Sequence, residues 1–241
     1  NYKEGLDLVM FRENTEGMYI GVEYAPVPPE MKKIKGMEKI PDDAAISIRS
    51  ITPKGSERIV RAAFEFAKKF SRKKVTVIHK ANVLRATCGL FLETARKGAT
   101  DYPGIQFEEA NVDAMCMWLL KNPMNYDVLA TTNLFGDIVS DLCAQMKGGL
   151  GFGCSGNIGD KYAVFEPTHG SAPKYAGKYK VNPIATILAA KMMLDWIGET
   201  DKGRAVEAAV AEVIREGKER TYDMGGHSTS LDMGRAVAAK L

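Results

Sequence analysis

The chain contains no Cys-x-x-Cys pair. Its four cysteines, Cys88, Cys116, Cys143 and Cys154, stand far apart, so neither a zinc cage nor a disulfide framework is written in it. Reduced thiols in a cytoplasmic protein are the expectation. An excess of one charge is also missing: 33 Lys and Arg against 30 Asp and Glu leave +3, too little for the basic footprint of a nucleic-acid binder. A phosphate-bearing small molecule remains compatible with that balance. No apolar run approaches the roughly 18 residues that cross a bilayer, no basic-then-apolar signal segment opens the chain, and there is no internal repeat or low-complexity tract. No membrane partner is expected. What is present is 241 residues, 45% hydrophobic and 26% charged, a globular composition sufficient for one large domain or two small ones. The chain starts on Asn1-Tyr2-Lys3-Glu4-Gly5 without an initiator Met and leads straight into a strand candidate, so a missing front part is expected.

That strand candidate is Leu6 to Phe11. A stretch from Met18 to about Asp43 follows, in which Pro26, Pro28, Pro29 and Pro41 argue against a helix. From Ser56, the candidate N-cap, apolar residues Ile59, Ala62, Ala63, Phe66 and Ala67 fall on one helical face. Lys74 to His79 reads as a strand, about Leu84 to Gly98 as a helix, Asp127 to Thr131 as a strand, and the segment beyond Gly136 to about Met146 as a helix. This alternation predicts an α/β fold with a partly parallel sheet. Gly148, Gly149, Gly151, Gly153 and Gly156 then crowd into what reads as a loop at a domain crossing. The remainder reads as mostly helical, with segments Ile184 to Ile197, Lys202 to Glu216 and Leu231 to Leu241.

Gly151-Phe152-Gly153-Cys154-Ser155-Gly156 satisfies G-x-G-x-x-G, the pattern that brings backbone close to a pyrophosphate. No strand is predicted before it and Asn157-Ile158-Gly159-Asp160 does not open a helix, so a flexible connection is the better account. Asp137 and Asp141 stand at i and i+4 and share one helix face. They can be helix N-terminal acids that complement the macrodipole, or two hard oxygen donors for Mg²⁺ or Mn²⁺ delivered to the carboxyl edge of a sheet. Asp113 is one candidate third ligand among many acids. Lys80 follows a strand at such an edge, where it is a solvated lysine or, if its pKa falls, a base. Arg12 ends the first strand, and its planar fork suits a substrate carboxylate. Together these strand ends describe an anion site with a metal. His169-Gly170-Ser171-Ala172-Pro173-Lys174-Tyr175 can hold a phosphate on backbone amides or form a tight turn. Tyr222-Asp223 before Gly225-Gly226 can be a helix stop.

At these residues the sequence resembles the metal-dependent β-decarboxylating dehydrogenases, the family of isocitrate, homoisocitrate and 3-isopropylmalate dehydrogenases. The resemblance covers essentially the whole chain. It rests on Arg12-Glu13-Asn14-Thr15-Glu16-Gly17-Met18-Tyr19, His79-Lys80-Ala81-Asn82, Asn133-Leu134-Phe135-Gly136-Asp137 with Ser140-Asp141, Ser155-Gly156-Asn157-Ile158-Gly159, and Glu166-Pro167-Thr168-His169-Gly170-Ser171-Ala172-Pro173. It implies a small α/β domain over 1–147, with a clasp segment at about 18–52, and the C-terminal portion of a large, cofactor-binding domain over 148–241. It also implies that Arg12 binds a substrate carboxylate, that Tyr19 and Lys80 transfer protons, and that Asp113, Asp137 and Asp141 hold Mg²⁺ or Mn²⁺. Asn82, Glu166, His169, Gly170, Ala172, Lys174, Tyr175, Asn182, Tyr222 and Asp223 are the implied cofactor-binding residues.

In such a family Lys80 and Asp113 come from the neighbouring subunit, so a homodimer with shared active sites is implied. The substrate implied by the resemblance is a small 2-hydroxy tricarboxylic acid. Arg-Glu-Asn-Thr-Glu-Gly looks like the isocitrate and homoisocitrate branches, and Lys174-Tyr175 with Tyr222 looks like the set that faces the 2′-phosphate of NADP. Against this, Gly226 stands where the bacterial NADP-type pattern has an arginine, and Asp223-Met224-Gly225-Gly226 looks more like the NAD branch. The expectation is an NADP-dependent isocitrate dehydrogenase of the tricarboxylic acid cycle producing 2-oxoglutarate. The alternatives are an NAD-dependent homoisocitrate or isopropylmalate dehydrogenase and a non-catalytic dimerising fragment. The loop that reads the substrate's distal group is expected upstream of residue 1.

Overall fold

The computed structural model describes residues 4–241, which form two compact units, Gly5–Ser140 and a second built on Asp141–Leu241. The division falls within a helix, a few residues ahead of the glycine-rich run.

The first unit begins with β1 (Val9–Arg12), starting three residues later than the apolar run suggests because the ladder opens where Val9 N–H donates to the Asp127 carbonyl at 3.1 Å. The proline-rich stretch forms 3₁₀ turns at Met18–Ile20, Pro29–Lys33 and Met37–Lys39 and two short antiparallel strands, β2 (Glu23–Tyr24) and β3 (Ile46–Ser47). It contains no α-helix, as its prolines require. Then follow α1 (Pro53–Lys69), β4 (Lys74–His79), α2 (Thr87–Ala99), β5 (Gln106–Asn111), α3 (Val112–Lys121), β6 (Val128–Thr131) and α4 (Asn133–Met146).

Strands run in the order β1-β6-β4-β5 and every pairing is parallel. All four carboxyl ends, at Arg12, His79, Asn111 and Thr131, therefore lie along one edge. β4 and β6 occupy the middle of the sheet and are almost wholly buried, as a parallel sheet covered by helices demands. Val60, Ala63, Phe64 and Ala67 of α1 and Phe91 and Ala95 of α2 pack on Val75, Val77, Val128 and Ala130. The buried stripe of α1 is thus rotated from the predicted one: Ala63 and Ala67 are shared, but Val60 and Phe64 fill the core while Ile59 and Phe66 sit at its margin. The cap differs as well. Thr52, not Ser56, accepts the Gly55 N–H at 3.0 Å, because Pro53 starts the helix one turn earlier.

In the second unit the glycine-rich run is not a flexible connection. Leu150–Phe152 is a 3₁₀ turn, and β7 (Cys154–Ile158) pairs antiparallel with β8 (Ala163–Pro167), with Gly156 opposite Phe165. The mostly helical expectation is corrected to that extent. α5 (Ile184–Trp196), α6 (Thr200–Glu216) and α7 (Ser230–Ala238) match the predicted segments to within two residues at their starts. Ile184, Ala209, Val210, Val213, Met233 and Val237 close their own core. Among the described residues no helix is long and apolar enough to cross a membrane.

Candidate active site

At the carboxyl edge of the sheet, Arg12 closes β1 and turns onto the first turn of α4. Its Nε and one terminal nitrogen donate to Asn133 Oδ1 at 3.1 and 2.8 Å, and the other terminal nitrogen pairs with Asp137 Oδ1 at 2.7 Å. Gly136 makes this approach possible: a Cβ there would stand 2.5 Å from Arg12 Cγ. Asn133 is itself fixed, its Nδ2 donating to the Glu16 carbonyl at 2.9 Å. The Tyr19 ring lies under the guanidinium, 5.2 Å from centroid to Cζ, a cation–π distance. Arg12, Tyr19 and Asp137 thus form one group, as the motifs imply. Asn133, quoted in its motif but given no role, is the residue that orients Arg12; its place in the Asn-Leu-Phe-Gly-Asp string was the available signal.

The turn carrying these residues is locked by two buried carboxylates. Glu13 accepts from Thr15 N–H, Thr15 Oγ1, Glu16 N–H and Arg58. Burial alone would raise its pKa, but the bonds from Thr15, Glu16 and Arg58 outweigh burial and hold it below the ordinary carboxylate range. Glu16 accepts from Thr52 N–H at 3.0 Å and from its hydroxyl at 2.8 Å, joining the turn to the start of α1.

Lys80 follows β4, and its Nζ pairs with Asp113 Oδ1 at 2.6 Å, in the first turn of α3. The lysine's hydrogen bond is the main cause holding the Asp113 carboxyl below its usual range. Ala81 N–H donates to His79 Nδ1 at 3.0 Å. Burial, the largest influence, pushes the His79 pKa down, with Glu109 opposing and Arg96 assisting, so the ring stays neutral and accepts. Asn82 is exposed in the turn that follows. Asp141 sits one turn beyond Asp137 on α4, exposed. Two of the three implied metal ligands therefore share a helix face, while Asp113 is engaged by Lys80. Among the described residues no three His, Cys, Asp or Glu side chains converge on a cation position within one chain.

In the second unit, Tyr175 and Tyr222 lie ring to ring at 5.7 Å, and Lys174 Nζ is 5.0 Å from the Tyr175 centroid. Lys180, which no motif singles out, stands 5.2 Å from Tyr175 and 4.9 Å from Tyr222. Asn182 is buried; its Oδ1 accepts the Ile184 N–H at the start of α5, and its Nδ2 donates to Asp223 at 3.0 Å. Glu166, on β8, accepts from Asn157 at 2.8 Å. His169 Nδ1 lies 2.9 Å from the Gly170 carbonyl, which fits the Nδ1–H tautomer, and Ala172 takes the left-handed conformation that turns the chain into Pro173–Tyr175. Lys174, Tyr175 and Tyr222 come together as the motifs imply, and so do Asn182 and Asp223.

The model of the isocitrate/isopropylmalate dehydrogenase family matches residues 1–237. The chain is 47% identical over 237 residues to 3-isopropylmalate dehydrogenase of Archaeoglobus fulgidus, covering 98% of this chain and 68% of that protein. It is 43% identical over 238 residues to a probable NAD isocitrate dehydrogenase subunit alpha, mitochondrial, of Drosophila melanogaster, covering 99% and 59%. The crystal structure of isocitrate dehydrogenase from Methylococcus capsulatus superposes with a TM-score of 0.88 at 47% identity, covering 97% of this chain and 66% of that one. The chain thus spans about two thirds or less of the length of its relatives. A parallel sheet with Arg12, Lys80, Asp113 and Asp137 at its carboxyl edge, matched along nearly its whole length by these proteins, establishes that the chain belongs to the isocitrate/isopropylmalate dehydrogenase family.

Proposed function

We propose that this chain is part of a cytoplasmic, homodimeric, NADP-dependent isocitrate dehydrogenase that oxidatively decarboxylates isocitrate to 2-oxoglutarate. The observation that carries the reading is the pair of preorganised groups at one sheet edge, Arg12 with Tyr19 and Asp137, and Lys80 with Asp113. Arg12 holds a substrate carboxylate through its planar fork; Asn133 and the Glu16 carbonyl keep that fork aimed. Lys80 of the second copy takes the proton from the C2 hydroxyl as the C2 hydride leaves, and the Tyr19 hydroxyl returns a proton to the carbon that loses CO₂.

The donor chemistry fits Mg²⁺ or Mn²⁺: Asp137 and Asp141 offer hard carboxylate oxygens from one helix face, with Asp113 of a second copy completing the set. When bound, such an ion supplies Lewis-acid stabilisation of negative charge on the substrate oxygens. The hydride acceptor is a nicotinamide dinucleotide, and Lys174, Tyr175 and Tyr222 favour NADP, since a 2′-phosphate is met by cations and hydroxyl donors.

A second reading, an NAD-dependent homoisocitrate or 3-isopropylmalate dehydrogenase, draws on Gly226, on one relative's name as a 3-isopropylmalate dehydrogenase and on the NAD in another's name. The deciding assay follows reduced cofactor with isocitrate, homoisocitrate and 3-isopropylmalate, each with NADP and with NAD, in the presence of Mn²⁺. A highest kcat/KM for isocitrate with NADP is expected. A higher value for another pair replaces the proposal by that pair.

A further inference from the structure

We propose that Lys180 is a specificity-determining residue for the cofactor's 2′-phosphate, acting with Lys174 around the Tyr175–Tyr222 ring pair. This rests on the NADP reading above. Its ammonium stands about equally far from both ring centroids, 5.2 and 4.9 Å, while Lys174 reaches only Tyr175, at 5.0 Å. Two cations are therefore gathered on one pair of phenols. Among the described residues neither lysine is paired with a carboxylate, unlike Lys80, Lys191 and Lys240. Asp223, the acid next to Tyr222, has both oxygens engaged, by Asn182 and by Thr221. Like charges collected with no carboxylate in ion-pair contact repel one another, and a phosphate dianion relieves that repulsion.

Position 226 explains why a second lysine is needed. A Cβ on Gly226 would collide with the carbonyl oxygen and Cβ of Arg220, so this turn has no room for a cationic side chain there without being rebuilt. Lys180 supplies the charge from the segment ahead of α5 instead. Beside Tyr222 a cavity of about 570 Å³, lined by Lys178, Lys180, His227, Ser228 and Thr229 among others, leaves space for a phosphate group. Partial desolvation, with the neighbouring Tyr175 and Asp223, pushes the Tyr222 phenol up against the opposing influence of Lys174.

The test compares adenosine 2′,5′-bisphosphate with adenosine 5′-monophosphate, which differ only in the 2′-phosphate, by titration calorimetry on the wild-type protein, Lys180→Met and Lys180→Arg. Wild type should prefer the bisphosphate. Lys180→Met should weaken the bisphosphate by about tenfold or more, the size of one charge-assisted contact, and leave the monophosphate within about twofold, while Lys180→Arg retains most of the preference. Equal bisphosphate affinity in wild type and Lys180→Met, with the wild-type preference present, overturns the role of Lys180 alone. Equal loss of both ligands also overturns it, because the lysine would then be supporting the rings. No wild-type preference for the bisphosphate overturns the NADP reading itself.

Discussion

Asp137 pairs with the Arg12 guanidinium in this chain and is a proposed ligand of the cation. The ion pair is partly exposed, 28% for the arginine side chain and 48% for the aspartate, so it contributes no more than about 1 kcal/mol to stability. Asp137→Asn should therefore remain folded while Mg²⁺ or Mn²⁺ affinity falls by at least about tenfold, since a charged ligand is lost. An unchanged metal titration in the folded variant would remove Asp137 from the site. Glu13 offers the opposite case, a carboxylate buried to 3% exposure and satisfied by Thr15, Glu16 and Arg58. Its folded pKa is depressed, so its stabilisation is complete above the unfolded value and is lost as pH falls through the folded one. Urea unfolding of Glu13→Gln should show a deficit of about 1–3 kcal/mol at neutral pH that closes as pH drops through the carboxylate range. A deficit that stays constant with pH would mean that packing, not ionisation, is what the substitution disturbs.

Among the elements, α7 has the best-defined start. Thr229 Oγ1 accepts the Asp232 N–H and Asp232 Oδ2 accepts the Thr229 N–H at 2.9 Å, a reciprocal capping box. Met233 and Val237 on its inner face help close the core of the second unit, so fraying of the first turn reaches that core. Thr229→Ala should cost about 1 kcal/mol, read as a lowered thermal midpoint; a midpoint equal to wild type would show that the box contributes nothing net. β4 and β6 were legible because buried central strands are rich in β-branched and apolar residues, Val75, Thr76, Val77 and Ile78 in one and Val128, Leu129 and Ala130 in the other. β5 was not, since Gln106–Asn111 is an edge strand whose Glu108 pairs with Lys74 at 2.7 Å and accepts from Thr76 at 3.2 Å, a polar pattern with no strand signature. α3 follows it at the next residue, without the turn chemistry that marks a boundary. The β7–β8 pair was hidden by glycines, whose weak strand propensity is overridden by pairing with a partner strand.

For the whole molecule, the shared-site proposal rests on the family resemblance, in which Lys80 and Asp113 come from the neighbouring subunit. Lys80→Met and Asp137→Asn impair different contributions, so a heterodimer of the two carries one doubly defective site and one intact site. Each variant refolded alone should be inactive, and co-refolding should restore activity, checked by cofactor reduction on verified heterodimers. Heterodimers no more active than the separate variants would rule out shared sites.

The α/β alternation and the family were legible in the sequence alone, which also singled out Arg12, Lys80, Asp137 and Asp141 as candidates, because motif identity and hydrophobic period are local properties that survive without coordinates. Partnership was not. That Asn133 aims Arg12, that Asp113 is engaged by Lys80, that Thr52 caps α1 and that Lys180 joins the Tyr175–Tyr222 pair are decided by register, helix rotation and turn geometry. A shift of one residue on α1 or one strand position moves a side chain to a different face, so contacts between residues far apart in the chain exist only once the tertiary structure fixes those rotations.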